Sequence, residues 1–378
     1  MRLLEFQAKR LLAEIGIPIP RGVLVTSLKD TQKVAFPTVL KAQIPVGGRG
    51  KAGAIRKVEH ADNAASTVSQ LLAATVKGYP VQALLAEEPV EVQRELYLAL
   101  LVDKQRNSPL LMSFDSGGVD VEESAQKAPE RLEKQYLDPT AEIQNSVVRS
   151  LAKTLDLKDS KALTTFVSKM WQIFKKYDAT FIEINPLAVT PKGLVALDAK
   201  VVLDDKAAYR HLDLFSELKA EQQKLDGRVK SQPEEMAAAR HINYVPLGGD
   251  IGVIADGAGT GMLTLDMIHD AGGKPANFCE MGGMANAEIM HATLEVVISN
   301  TQLRVLLISL IGGLTRMDEL AEGIVRYLDQ NDRTVPIVVR MCGTMAEVGL
   351  PMLRNAGVDT YEDLDAAVQA AVARQQEF

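Results

Sequence analysis

From about residue 245 onward, short apolar runs alternate with longer helical stretches. The runs fall at 251–255, 303–311 and 335–341, with weaker ones near 276–281 and 358–360. The helical stretches between them fall at 261–271, 286–299, 317–329 and 345–356. Runs this short and continuous suit strands buried on both faces, and the intervening helices supply the crossovers of a parallel sheet. Glycines follow the runs at Gly257, Gly259, Gly282, Gly283, Gly312, Gly313 and Gly343. Those are the carboxyl ends of the strands, where open α/β sheets take ligands. The spacing predicts a doubly wound parallel sheet over 241–378, with a site along one edge.

The first part of the chain lacks that alternation. With 378 residues, 47% of them hydrophobic and 24% charged, there is length for two or three domains of a folded protein. An amphipathic helix over 3–14 stops at Gly16, and Ile17-Pro18-Ile19-Pro20 forces an extended segment. A strand runs into a glycine loop, and Ala54–Val58 returns antiparallel to it. A helix is expected over 61–76 and a strand over 81–87. Strands at 95–103 and 108–115 form a hairpin, followed by a turn with acidic alternation at 116–123. Helices are expected at 141–155 and 160–177, and short strands at 180–185 and 193–198 around Pro191-Lys192-Gly193. The charged segment 204–240 reads as helices crossing between domains. The expected division is thus a mixed α+β nucleotide-binding half, 1–240, and an α/β half, 241–378.

The glycine loop is where the first half shows chemistry. Val39-Leu40-Lys41-Ala42 is an apolar strand with a lysine inside it, and it opens into Gly47-Gly48-Arg49-Gly50-Lys51-Ala52-Gly53. Glycines let backbone N–H groups face a ligand, and Lys41, Arg49 and Lys51 add positive charge at the same place. A lysine within a strand needs an anionic partner, and a polyphosphate under a flap would supply one. Neither the P-loop string nor the G-x-G-x-x-G fingerprint is present.

Further along, Glu183 and Asn185 share one side of a strand, and Asp198 ends the next. A hairpin brings Asn185 and Asp198 side by side. One carboxylate and one amide oxygen suit Mg²⁺ bridging phosphates, although an Asn-Pro turn and an exposed aspartate read the same way. Glu87 and Glu95 flank the bend at Glu88-Pro89-Val90 and could accept from an adenine amino group or a ribose hydroxyl, although in isolation surface charge is the favoured explanation of both. In the second half, Gly312-Gly313-Leu314-Thr315 leads into a helix, an arrangement suited to anions.

Other classes are disfavoured. A net charge of −7 implies no basic face for nucleic acid. Two cysteines, Cys279 and Cys342, form no metal or disulfide pattern, and five scattered histidines offer no nucleophile. There is neither a signal core nor a membrane-length apolar run, so the expected location is cytoplasmic.

Several segments together resemble the β subunit of ADP-forming succinyl-CoA synthetase and the wider acid–CoA ligase group, which includes malate–CoA ligase. They are Leu4-Glu5-Phe6-Gln7-Ala8-Lys9, Lys41-Ala42-Gln43, Gly47–Gly53, Arg94-Glu95-Leu96-Tyr97-Leu98, Gly117-Gly118-Val119, Glu183–Leu187, Leu197-Asp198, Asn243-Tyr244-Val245 and Gly312-Gly313. The resemblance spans nearly the whole chain. It implies an ATP-grasp domain followed by a flavodoxin-like CoA-ligase domain. It implies ATP/ADP held by Lys41, Gly48, Arg49, Gly50, Glu87, the backbone of Val90, and Glu95. Asn185 and Asp198 would bind Mg²⁺, and Glu183 would face a phosphohistidine on a partner α subunit that also carries most of the coenzyme A site. The helix after Gly313 would aim its positive end at the transferred phosphate. Departures concentrate around the acid. Asp256 stands where succinate enzymes have asparagine, Ser309 replaces another asparagine, and Thr315 follows Gly313-Leu314. Those positions predict a small carboxylic acid other than succinate, such as malate or another substituted acid. The alternative is a catalytically silent nucleotide-binding paralogue, which the presence of Lys41, Glu183, Asn185 and Asp198 together argues against.

Overall fold

The computed structural model describes residues 1–118, 121–157, 160–228, 230–332 and 335–377. Val119 and Asp120, part of the expected turn at 116–123, lie outside the described residues. The chain divides into two compact units at residues 228/229. The last of the connecting helices therefore groups with the second unit.

The first unit begins with α1 (Glu5–Glu14), β1 (Gly22–Val25) and a 3-10 turn, Leu28–Lys33. Next come β2 (Thr38–Ala42), β3 (Ile55–Val58), α2 (Ala64–Leu72), β4 (Thr75–Val76), β5 (Tyr79–Pro80) and β6 (Leu84–Glu87). Strands pair in the order β1-β6-β2-β3, all antiparallel, and α2 packs Val68 and Leu71 beneath them. The helix expected over 61–76 stops at Leu72. Lys77 and Gly78 both take positive φ (52° and 82°), which makes a two-residue turn joining Val76 to Tyr79. That turn geometry closes hairpins, and it overrides the helical pattern.

A second sheet follows. It contains β7 (Arg94–Asp103), β8 (Ser108–Phe114), β9 (Leu132–Tyr136), β10 (Ala179–Thr190), β11 (Gly193–Ala196) and β12 (Ala199–Leu203). Around these lie α3 (Val121–Lys127), α4 (Asn145–Thr154), α5 (Ser160–Lys176) and α6 (Leu212–Leu225). α5 buries Phe166, Met170, Trp171 and Phe174 against Leu98, Leu100 and Ile182 of the sheet. β10 runs to Thr190, beyond the strand expected to stop at 185. Its pairing with β7 shifts register between Ile184 and Leu187, at the cis Asn185–Pro186 bond. β11 and β12 lie in succession along one edge of β10, with Leu187 opposite Ala196 and Ile184 opposite Ala199. The break at Leu197-Asp198 thus faces Asn185-Pro186, and Leu197 N donates to Pro186 O (3.1 Å).

The second unit contains α7 (Gln232–Arg240), β13 (Asn243–Pro246), β14 (Ile251–Ala255), α8 (Ala258–Asp270), β15 (Asn277–Glu280) and α9 (Ala287–Ile298). It continues with β16 (Val305–Gly312), α10 (Met317–Gln330), β17 (Ile337–Gly343), α11 (Ala346–Asn355), β18 (Asp359–Tyr361) and α12 (Leu364–Gln376). The sheet order is β13-β15-β14-β16-β17-β18. All neighbours are parallel except β13, which runs antiparallel to β15 at the edge. Without β13 this is the flavodoxin-like order, with the topological switch between β14 and β16. α9, α10 and α11 cover one face over Ile254, Leu306, Ile308 and Met341. α8 and α12 cover the other over Val253, Leu307 and Val338. Among the described residues no helix is long and apolar enough to cross a membrane.

Candidate functional site

In the first unit the β2–β3 loop, β10 and the β11–β12 break enclose a cleft of about 850 Å³, lined by Gly48, Arg49, Gly50, Glu183, Asn185 and Asp198 among others. Gly48 has φ +72°, which a side-chain-bearing residue would resist, and its backbone passes so close to Lys77 that a Cβ would lie 2.8 Å from Nζ. Lys77 Nζ donates to Gly47 O at 2.7 Å and ties the loop down.

Beneath the cleft lies a network of charges. Glu5 and Lys9 enter from α1, Lys41 from β2, Arg49 from the glycine loop, Glu87 from the end of β6, and Asp198 from the break. Lys9 Nζ lies 2.8 Å from Glu5 and also binds Glu87. Lys41 Nζ lies 2.7 Å from Glu87 Oε2 and 3.1 Å from Glu5 Oε1, and donates to Leu197 O at 2.6 Å. Arg49 Nη1 meets Glu5 Oε2 at 2.7 Å and Ala42 O at 3.0 Å, while Nη2 faces both oxygens of Asp198 at 3.0 and 2.9 Å. Three cations therefore meet three carboxylates. Burial alone would push the Glu5 carboxyl upward, but Lys9, Lys41 and Arg49 together hold it well below the usual carboxylate range. Burial would likewise lower the Lys41 ammonium, and Glu5, Glu87 and Asp198 instead raise it. Asp198 moves upward, through burial and the neighbouring Glu5, against the pull of Arg49, Lys41 and Lys9.

The buried lysine of the glycine-loop strand therefore has its anionic partners within the chain. Glu87 was expected at a nucleotide edge; it is 2% exposed and both its oxygens face lysines, Oε1 toward Lys9 and Oε2 toward Lys41. Val90 is half-buried and Glu95 exposed, and neither lines the cleft. Glu95 instead stands beside Gly118, where an added Cβ would lie 3.2 Å from its Oε2. Asn185 grips that same glycine, accepting from Gly118 N (2.7 Å) and donating to Gly118 O (3.1 Å). Glu183 faces Lys200 at 3.8 Å. Glu5 and Lys9 were not anticipated as site residues. Their only local signal is an i,i+4 ion pair on an amphipathic helix.

The donor chemistry fits Mg²⁺ on one condition. Among the described residues no group of three or more His, Cys, Asp or Glu could hold a metal by itself. Asp198 and Asn185 give one carboxylate and one amide oxygen on a shared wall, which matches an ion that keeps waters and takes its remaining ligands from phosphates.

The second unit builds differently. Asp256, 5% exposed, leaves the end of β14 and accepts from Ile311 N of β16 at 2.7 Å, so it ties the two loops at the topological switch. Burial pushes its carboxyl upward, partly offset by the Ile311 amide and Arg340. Thr315 is 4% exposed and donates to Gly283 O (2.9 Å); Thr344 Oγ1 donates to Gly313 O (2.9 Å). An added Cβ at Gly257, Gly282 or Gly313 would meet nothing within 4 Å, so their backbones stay accessible. Leu314 projects, 85% exposed. α10 begins just past this loop, as expected, yet its positive end is partly answered within the chain. Met317 N donates to Thr344 O, and Asp318 and Glu319 occupy the first turn with Arg316 held 2.6 Å from Asp318.

Residues 2–189 match the ATP-grasp domain family and residues 254–374 the CoA-ligase family. The chain is 37% identical over 378 residues to the succinate–CoA ligase (ADP-forming) subunit beta of Ignicoccus hospitalis, covering 98% of each chain. It is 39% identical over 393 residues to the protein of that name from Acidithiobacillus ferrooxidans, covering 99% of this chain and all of that one. Among solved structures, an ATP citrate lyase from Methanothrix soehngenii in complex with citrate and coenzyme A shares the fold, with a TM-score of 0.73 at 20% identity over 98% of this chain and 99% of that one.

Proposed function

We propose, from the premise that this chain belongs to the family of ADP-forming succinate–CoA ligase β subunits, that its cleft holds Mg-ATP for phosphoryl transfer to a histidine of a partner α subunit. The chain is the β subunit of an ADP-forming acid–CoA ligase. In the reaction we assign to it, the histidine takes the γ-phosphoryl group and ADP leaves. The phosphoryl group passes from histidine to the carboxylate of the acid. The coenzyme A thiol then attacks that acyl phosphate, releasing phosphate and leaving acyl-CoA.

One observation carries this reading: Arg49, Glu183, Asn185 and Asp198 line a single cleft above a floor of buried cations. Gly48, Arg49 and Gly50 present backbone and guanidinium N–H groups to phosphates. Lys41 supports them from below, and Glu87 orients Lys41. Val90 lies on the stretch leaving β6 and Glu95 near the start of β7, and we assign both to the nucleoside end. Bound Mg²⁺ would neutralise phosphate charge in flight, with Asp198 and Asn185 as its protein ligands. Glu183 orients the incoming imidazole. Phosphoryl transfer asks mainly for position and charge stabilisation, and this inventory supplies both.

The acid belongs at the edge formed by Asp256, Gly313, Leu314 and Thr315, and most of the coenzyme A site on the partner. A buried carboxylate at Asp256 favours an acid carrying a hydrogen-bond donor, a hydroxy acid such as malate, over plain succinate. The test uses the assembled α and β chains and γ-labelled ATP. Asp198→Ala should cut labelling of the α-chain histidine by about hundredfold, as expected for loss of one electrostatic stabiliser. Unchanged labelling would sink the nucleotide assignment. With the intact protein, preferred turnover of succinate over malate would sink the acid assignment alone.

A further inference from the structure

Arg49 is engaged at both terminal nitrogens. Nη1 serves Ala42 O and Glu5, and Nη2 serves the two oxygens of Asp198. Both terminal nitrogens are thus committed to groups of this chain, and the side chain is only 8% exposed. Its two carboxylate partners differ sharply. The side chain of Glu5 is 1% exposed, whereas that of Asp198 is 32% exposed along the cleft. Asp198 is the partner that can let go.

We propose that the Arg49–Asp198 pair is an exchange lock that makes the cleft selective for metal-loaded over metal-free nucleotide. The proposal rests on the nucleotide assignment above. With three cations facing three carboxylates, the network offers an anion no surplus charge (Lys9, Lys41, Arg49 against Glu5, Glu87, Asp198). A metal-free polyphosphate that drew Arg49 toward itself would leave Asp198 an unpaired carboxylate next to phosphate oxygens. A divalent cation arriving with the nucleotide gives Asp198 a new partner at the moment Arg49 turns to phosphate. Every charge is then paired before and after. Glu5 keeps its hold on the guanidinium throughout and acts as the pivot, a positioning residue. Metal and nucleotide must therefore raise each other's affinity, since coupling between two ligands is reciprocal.

The test is calorimetric titration of the full chain with ADP, in chelator and in Mg²⁺. Wild type should gain at least about tenfold in affinity from Mg²⁺, within the usual range of such couplings. Asp198→Ala should bind metal-free ADP about tenfold more tightly than wild type does and lose most of the Mg²⁺ effect. Adding Arg49→Ala to Asp198→Ala should abolish the gain in metal-free affinity, because the released guanidinium is its source. Asp198→Asn, which keeps the shape and loses the charge, should move in the same direction and guards against a folding defect in the alanine variant. Metal-free affinity unchanged or weakened in both Asp198 variants would overturn the lock while leaving the nucleotide assignment standing. Wild type that binds ADP under neither condition would overturn both.

Discussion

The first-unit cleft and the carboxyl edge of the second-unit sheet handle charge by opposite means. The cleft concentrates six ionised side chains and cancels them against one another. The edge relies on open glycine backbone and a single buried carboxylate, Asp256. Charge that is matched internally can be stored in a core without a ligand, because each group already has its partner. Backbone N–H groups carry little desolvation cost at a surface loop, so they can stand open while ligands come and go. The cleft therefore relies on matched charge and the edge on its backbone.

The contrast can be broken most forcefully at Glu5. Glu5→Gln should destabilise the first unit by about 3–5 kcal/mol at neutral pH, since it strands Lys9, Lys41 and Arg49 without a shared anion. The folded-state pKa of Glu5 lies below its ordinary 4.5, so its contribution is complete above that value and is lost as the pH falls through the depressed one. Denaturant titrations across acidic pH should show a shallower loss in the variant than in wild type. Equal slopes would mean that the three cations are not what holds Glu5 ionised.

Asp256 should answer with the opposite sign. Its pKa is raised above the ordinary 3.8, so its stabilising contribution is complete below that value and lost as the pH rises through the raised one. Asp256→Asn, whose amide oxygen can still accept from Ile311 N, should stabilise the second unit by roughly 1 kcal/mol at neutral pH. The gain should vanish in acid, and melting curves at two pH values read it directly. A loss of stability at neutral pH would show that the carboxylate charge is needed to hold the loops together. The smallest effect belongs to Leu314→Ser. At 85% exposure the side chain contributes little to folding, and stability should stay within about 0.5 kcal/mol while the KM for the acid rises. A larger fall in stability would mean that the projecting loop is packed, not open.

The second unit was readable in the sequence because its period and punctuation agree: buried strands without alternation, helices between them, glycines at one end. β13 escaped notice because it is four residues long and mostly exposed, so no apolar run marks it. α12 was missed although its alanines favour helix; it follows the last strand with no glycine or proline to mark the transition. In the first unit, the turn at Lys77-Gly78 defeated a helix pattern that looked continuous. The cleft residues Arg49, Glu183, Asn185 and Asp198 could be picked out by their types and their flanking glycines and prolines. Glu5 and Lys9 could not. On a helix wheel an i,i+4 pair of opposite charges looks solvated, and only the distant Lys41, Arg49 and Glu87 make it a floor.

The reach of that floor along the chain bears on how the protein comes to be made. Glu5 finds Lys41 36 positions away, Lys9 finds Glu87 78 away, and Arg49 finds Asp198 149 away. During synthesis α1 emerges with Glu5 and Lys9 paired to each other, while Lys41, Arg49 and Glu87 are still to come. The other members of the network follow one at a time, with Asp198 last. The charge network can therefore close only once Asp198 has been made, and a nascent chain halted before that point would leave Arg49 without its aspartate.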